Sequence, residues 1–446
     1  MSGSFKNSST VGVIGCGYLG AVHAACLAHW GFDTVAIDID AWKIDKLSSG
    51  SAPFYEDMLD PLLKEGVNSG RLRFSTDPQD LSGCSLVFIC VGTPQDINSP
   101  AADLSQVFSA VSMCVENLSP GSIVVGKSTV PVGTATELSP ILEKAGLLFG
   151  WNPEFLREGT AVSDTLHPER IVVGCSSKIV EDALRLVYND PVVEGSSFLC
   201  TDLATSEIIK ESANAFLATK ISFINAVADV CDRTGADVDM VAKALGLDSR
   251  IGPKFLRSGI GYGGGCFTKD VLALAHRAEE LGASSLAEML RATDSANTNA
   301  RRRALDLVLK NLPNDPCKVA FLGAAFKPGS DDVRDSPAVW LVKKLQETRK
   351  DLTISWFDPA FKEGFELADI SMSRSAQNAV AGAALTVIAT DWSDFRSMSP
   401  ENLSPANKVL IDVRICVSVE KWTSLGWEVH QLGRPSRLPF SQTPAC

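Results

Sequence analysis

Val11-Gly12-Val13-Ile14-Gly15-Cys16-Gly17-Tyr18-Leu19-Gly20 decides how the first part of this 446-residue chain folds. The apolar run reads as a short buried strand, and after the glycines an apolar helical pattern continues to Trp30, where Gly31 stops it. Strand, Gly-x-Gly-x-x-Gly and helix in that order form a dinucleotide fingerprint. Gly15 allows the tight turn, Gly17 admits a pyrophosphate, and Gly20 permits close helix packing. The next strand, over residues 34–37, ends at Asp38, 23 residues after Gly15. An acid at that distance holds the adenosine ribose hydroxyls and repels a 2′-phosphate, so NAD is expected rather than NADP.

Further strands, over residues 86–92, 122–127, 147–151 and 170–174, alternate with helical patterns, which implies a parallel sheet covered on both faces. Ligands of such sheets sit beyond the carboxyl ends of the strands. There stand Thr93-Pro94, Ser128-Thr129-Val130-Pro131 and Asn152-Pro153-Glu154-Phe155-Leu156-Arg157-Glu158. Taken singly, each is also ordinary loop punctuation. From residue 205 to about 233 the apolar period becomes helical, and a helix of that length spans on the order of 45 Å. It is expected to link two domains and to offer a dimer surface. Lys210 and Asn214, four apart, share one face of it. By themselves they fit a ligand pair or a solvated face.

A second Gly-rich stretch, Gly261-Tyr262-Gly263-Gly264-Gly265-Cys266-Phe267-Thr268-Lys269-Asp270, precedes an apolar helical pattern. The thiol should stand near a helix N-terminus, where backbone N–H groups, the helix dipole and Lys269 favour the nucleophilic thiolate. An incidental core thiol is the alternative. Residues 311–316 read as a linker. Beyond them an α/β pattern restarts, with strands over 318–323, 354–359, 384–389 and 408–413 and a helix over 338–346. It lacks a full Gly-x-Gly-x-x-Gly, so a nucleotide other than a dinucleotide is expected there. The tail from Arg434, rich in Pro and Ser, is expected to be loose. The fold class is therefore α/β, two Rossmann-like doubly wound domains joined by a long central helix. The expected domains are residues 1–203, 204–312 and 313–446.

Composition sets the class: 45% hydrophobic and 21% charged residues describe a globular protein. No apolar run has membrane-spanning length and the polar start lacks a signal-peptide layout, so a cytoplasmic protein without a membrane partner is expected. The net charge of -12 argues against nucleic acid, although anionic small molecules need only a few local cations. Twelve cysteines without a Cys-x-x-Cys pair point to neither a metal site nor a disulfide framework.

Taken together these motifs resemble the nucleotide-sugar dehydrogenase family over nearly the whole chain. The most specific parts are residues 152–159, continuing through Leu166-His167-Pro168-Glu169-Arg170, and the stretch 261–270. The run Phe255-Leu256-Arg257-Ser258-Gly259-Ile260-Gly261-Tyr262 favours a glucose-type sugar, on uridine or on thymidine. Thr268 departs from the proline that many members carry. The resemblance implies oxidation of a primary alcohol to a carboxylate by two hydride transfers to NAD, through a thiohemiacetal and a thioester on Cys266. It implies that Lys210 and Asn214 stabilise the oxyanions, that Asp270 acts with Lys210 on a water, that Glu154 serves as acid/base in hydrolysis and that Thr129 positions the water. The cofactor set it implies is Gly15, Gly17, Tyr18, Leu19, Gly20, Asp38, Lys43, Thr93, Ser128, Glu158 and Arg334. For the sugar nucleotide the positions, besides Lys210 and Asn214, are Phe155, Leu156, Arg157, Phe255, Arg257, Tyr262, Gly263, Lys327 and Arg414, with Arg250 reaching in from the other subunit of a homodimer. Two other readings stay open on the sequence: a two-electron hydroxyacid dehydrogenase that needs no thiol, and a catalytically silent NAD-binding sensor.

Overall fold

The computed structural model describes residues 10–96 and 99–436. The chain's polar start and the end of its tail beyond residue 436 lie outside them. Two compact units are formed, Met1–Ala213 with His276–Gly282, and Asn214–Ala275 with Ala283–Cys446.

The first unit is built on an eight-stranded sheet. Its strands are β1 (Thr10–Ile14), β2 (Asp33–Ile37), β3 (Leu72–Ser75), β4 (Cys84–Ile89), β5 (Ile123–Gly126), β6 (Leu148–Trp151), β7 (Arg170–Gly174) and β8 (Ser197–Thr201). Their order is β3-β2-β1-β4-β5-β6-β7-β8, which contains the doubly wound arrangement of dinucleotide-binding folds. Alternation along β1 feeds both faces: Val11 and Val13 join a core with Ala21, Val22 and Phe88, while Ile14 packs with Val35, Ile37 and Ile89. The expectation of a wholly parallel sheet needs correction, because β6 meets β7 antiparallel, through the single pair Trp151 with Gly174. The segment between them carries only the six-residue helix Ala161–Leu166, too little for a full crossover, so the chain returns in the opposite direction.

The second unit holds a five-stranded parallel sheet of β9 (Lys318–Leu322), β10 (Thr353–Phe357), β13 (Leu385–Ile388), β14 (Val409–Asp412) and β15 (Glu428–Gln431), ordered β10-β9-β13-β14-β15. A small hairpin of β11 (Glu366–Leu367) and β12 (Ile370–Ser371) lies between β10 and β13 in the chain. Apolar clusters cover both faces of this sheet as well. One continuous 32-residue helix, Leu203–Thr234, carries the chain from the first unit into the second. Among the described residues no helix is long and apolar enough to cross a membrane.

Candidate active site

At the carboxyl ends of β1 and β2 the glycine turn is tight. Gly15 has φ 92 and donates its N–H to the Ile37 carbonyl at 2.7 Å. A Cβ on Gly20 would stand 1.7 Å from the Gly15 carbonyl oxygen, so the helix Tyr18–His29 can lie this close only with glycine there. Gly17 is the N-cap of that helix and supplies no side-chain cap; the space where its Cβ would stand is open. Uncapped helix amides beside an open glycine suit a diphosphate. The Asp38 carboxylate closes the site, accepting the N–H of Cys16 at 2.8 Å and of Asp40 at 2.9 Å, with Lys43 Nζ 3.8 Å away. These residues fit a dinucleotide. Leu19 packs partly buried on the core, and the Tyr18 hydroxyl accepts the N–H of Gly159 at 2.7 Å, next to half-buried Glu158.

The loops after β4 and β5 are laced together. Thr93 donates its hydroxyl to the Thr129 carbonyl at 2.7 Å, and Ser128 donates to the Val91 carbonyl at 2.6 Å. Behind them lies a buried ionic cluster that the sequence reading missed. Lys127 Nζ stands 2.7 Å from Glu154 Oε2 and donates to Asn152 Oδ1 at 3.0 Å and to the Tyr188 hydroxyl at 3.2 Å. The other Glu154 oxygen accepts the N–H groups of Phe155 at 2.7 Å and Leu156 at 2.9 Å. Burial by itself would raise the Glu154 carboxyl, but the Lys127 charge and these hydrogen bonds outweigh it and hold the group below the usual carboxylate range. A lysine directly after an apolar strand is the signal that could have found the cluster, since such a charge is buried only with a partner.

Phe155 is flanked by the Arg170 guanidinium at 4.2 Å and the Lys210 ammonium at 5.2 Å from the ring centre. Leu156 packs partly buried against the core. Arg157 is held by Asp164 through a two-pronged ion pair, at 2.9 and 2.6 Å. The loop is further anchored by Glu56, whose carboxylate accepts the N–H groups of Gly159 at 2.6 Å and Ala161 at 2.7 Å. Glu207 does the same for the loop after Thr129, accepting from Gly133 at 2.8 Å and Ala135 at 2.6 Å, and burial pushes its carboxyl up to about 7. Neither glutamate belongs to a sequence motif.

In the second unit Cys266 is exposed and immediately precedes the helix Phe267–Glu280, as its sequence neighbourhood predicts. The glycines before it permit a very close approach: a Cβ on Gly263 would lie 2.2 Å from the Asp335 carbonyl oxygen. Asn297 pins the same stretch by accepting the Tyr262 N–H at 2.9 Å and donating to its carbonyl at 3.1 Å. Asp270, one turn beyond the thiol, is buried and accepts from Asn214 Nδ2 at 2.7 Å and from Lys269 Nζ at 2.5 Å. Thr268 donates to the Asp335 carboxylate at 2.6 Å, a bond that proline could not make.

The cations of this unit have partners too. Arg257 donates to Asp391 and to the Ile415 carbonyl, both at 2.6 Å. Arg414 spends its guanidinium on the carbonyls of Ala389, Gly261 and Phe326, and burial brings its pKa down to about 10. Its contact with Gly261 makes it a brace of the cysteine loop. Lys327 stands 5.3 Å from the Phe326 ring centre, and Arg334 pairs with Asp332 at 2.7 Å. Phe255, with φ 65, and buried Tyr262 turn their rings edge-on to Phe267. The exposed Arg250 folds back on Asp248 at 2.6 Å.

Strand order, glycine turn and the acid at the end of β2 define a dinucleotide-binding protein of the doubly wound class, and a cysteine set at a helix start adds an exposed thiol to it. The chain belongs to the UDP-glucose/GDP-mannose dehydrogenase family: residues 9–192 match its NAD binding domain, residues 204–299 its central domain and residues 320–419 its UDP binding domain. NAD is accordingly the cofactor. The UDP-glucose 6-dehydrogenase of Rhizobium meliloti is 39% identical over 439 residues, covering 95% of this chain and 99% of the relative. The UDP-glucose 6-dehydrogenase TuaD of Bacillus subtilis is 37% identical over 442 residues, 96% of this chain and 93% of the relative. Among solved structures, a UDP-glucose dehydrogenase from Pyrobaculum islandicum matches with a TM-score of 0.83 and 32% identity, covering 93% of this chain and 96% of that one.

Proposed function

We propose that this protein oxidises the C6 alcohol of UDP-glucose to the carboxylate in two NAD-dependent steps. The observation that carries the reading is the 39% identity with a UDP-glucose 6-dehydrogenase over 95% of the chain, whose Cys266 is exposed at a helix start and whose Asn214 is bonded to Asp270. When bound, NAD supplies a hydride acceptor. Lys210 and Asn214, four apart on one helix, are assigned to the negative oxygen that develops at C6, where a cation and an amide donor act most strongly. Lys210 and Asp270 exchange the proton of the alcohol through a water. Cys266 adds to the aldehyde and becomes the acyl carrier of the second oxidation. Glu154, held ionised, accepts a proton from the hydrolytic water that Thr129 orients. Arg257 and Lys327 offer positive charge to the diphosphate, so the second unit is assigned to the sugar nucleotide and the first to NAD. Four electrons leave the substrate, so two NADH per UDP-glucose are expected by absorbance against product chromatography. A ratio of one would overturn the reading.

We also propose a homodimer through the long helix. Its support is an apolar stripe at seven-residue spacing, Phe216, Phe223 and Val230, exposed by 66%, 54% and 59%. Such a stripe faces a partner more often than water. Phe223→Asp is expected to yield monomers in sedimentation velocity at micromolar protein; a dimer that persists refutes this surface.

A further inference from the structure

We propose that Lys127 is the positioning residue of the Glu154 carboxylate: paired with it at 2.7 Å and itself fixed by Asn152 and Tyr188, it keeps Glu154 an ionised, oriented acceptor for the proton of the hydrolytic water. This rests on the assignment of Glu154 given above.

The sheet builds the pair. β5 and β6 are parallel neighbours with Gly126 opposite Trp151, and the chain runs on from these two residues to Lys127 and to Asn152-Pro153-Glu154. Lys127 is only 4% exposed, so its ammonium depends on the groups around it. All three of its contacts are oxygens, and two are locked in turn: Tyr188 donates to Asn152 Oδ1 at 2.5 Å, and Asn152 Nδ2 donates to the Val172 carbonyl at 2.7 Å. Glu154 is held as firmly, one oxygen on Lys127 and the other on two amides. The carboxylate can neither rotate nor gain a proton without losing a charge-assisted bond.

The remaining groups around the pair cannot substitute for Lys127. Burial pushes Tyr188 and the Cys90 thiol up to about 12 and Cys26 higher, so all three stay neutral. His23 is kept neutral by burial and then by the Lys127 charge. Asp164 is engaged by Arg157, while Arg170 and Lys210 face the Phe155 ring. In the hydrolytic step the water oxygen bonds to the thioester carbon, the C–S bond breaks with its electron pair on the Cys266 sulfur, and the water proton passes to Glu154. A base that must be ionised before it can act loses rate as pH falls through its pKa. Lys127 keeps that pKa low, so removing the charge must move the acid limb of the rate profile upward.

The test compares wild type, Lys127→Met and Lys127→Arg with UDP-glucose and NAD from pH 5 to 9, by stopped-flow NADH absorbance and by intact mass after acid quench. The Met variant is expected to form two NADH per site at rates within about threefold of wild type and then stall, with a substrate adduct on Cys266 and an acid limb displaced upward by at least about one pH unit. The Arg variant is expected to recover half or more of that displacement. A folded Met variant with an unmoved acid limb and both phases slowed equally would make Lys127 merely structural. Should the Met variant not fold, the infrared carboxyl region of wild type minus Glu154→Gln decides. An ionised band from pH 5 upward supports the proposal, and a protonated Glu154 at pH 7 overturns it. That spectrum does not depend on the reaction. Failure of the two-NADH stoichiometry in wild type would instead overturn the functional reading.

Discussion

Replacing Cys266 by alanine is expected to lower net carboxylate formation from UDP-glucose by about four orders of magnitude, equivalent to about 5 kcal/mol in the activation barrier. The size follows from the chemistry. An aldehyde does not give up a hydride until a nucleophile has added to its carbonyl, and in the proposed mechanism the thiol both creates the hydride donor of the second oxidation and leaves as thiolate in hydrolysis. The first hydride transfer involves only the alcohol, a base and NAD, so the variant is expected to keep a slow conversion to aldehyde, detectable with a carbonyl-trapping hydrazine. Stability should hardly change. The side chain is exposed and the helix Phe267–Glu280 is fixed by other bonds, those of Thr268 to Asp335 and of Asp270 to Asn214. A melting shift of no more than a few degrees is the control that separates lost chemistry from lost fold. An alanine variant that forms the carboxylate within tenfold of wild type would remove the thiol from the mechanism, whereas one NADH and no carboxylate in wild type and variant alike would favour a two-electron dehydrogenase.

How much of this was legible in the sequence depends on whether an interaction is local. The glycine turn, Asp38 at the end of β2 and Cys266 at a helix start are encoded within a few residues each, and they read correctly. So did the long helix, whose large apolar residues recur with a helical period. The helix Ser284–Lys310 escaped because its buried face is mostly small or polar, with Ala287, Thr293, Asn297, Ala300, Arg301 and Ala304 beside only Leu290 and Val308, so it carries little hydrophobic contrast. β3 and β8 escaped as edge strands: β8 is mostly solvent-facing and shows no apolar run. The reversal at β7 was hidden for another reason. A strand sequence records which residues are buried and not which way the chain runs.

The site divided along the same line. Asn214 and Asp270 lie 56 residues apart in sequence and meet only through folding; the resemblance implied each as a partner of Lys210, and not their bond to one another. Lys127, Tyr188, Glu56 and Glu207 stabilise the site by long-range bonds to loops that are distant in the chain. Each is a charged or hydroxyl-bearing side chain whose meaning is its partner. Arg414 stands among the sugar-nucleotide positions by resemblance alone, and folding directs its donors at three backbone carbonyls, of which that of Gly261 belongs to the cysteine loop.

Gly20→Ala and Gly17→Ala should separate packing from cofactor recognition within the same six-residue turn. At Gly20 a methyl group would lie 1.7 Å from the Gly15 carbonyl oxygen and 3.2 Å from the Cys90 Cβ. The first obstacle is backbone, so relief requires the helix Tyr18–His29 to move away from the turn. That helix is buried along Ala21, Val22, Ala24, Ala25 and Leu27, and shifting it loosens the core on one face of the sheet. Overpacking of this kind costs about 3 kcal/mol, which in a unit of some two hundred residues lowers the melting temperature by about 6–12 °C. The same shift displaces the helix amides from the diphosphate, so NAD affinity is expected to fall about a hundredfold or more, some 3 kcal/mol. At Gly17 nothing stands within 4 Å of the added carbon, and its φ of -69 suits alanine. That variant should melt within about 2 °C of wild type. Its methyl group would nevertheless occupy the approach of the pyrophosphate, so NAD binding by fluorescence titration should weaken at least about tenfold. Equal loss of stability in both variants would mean that the two glycines serve packing alone, and unchanged NAD affinity in Gly17→Ala would remove the diphosphate from this turn.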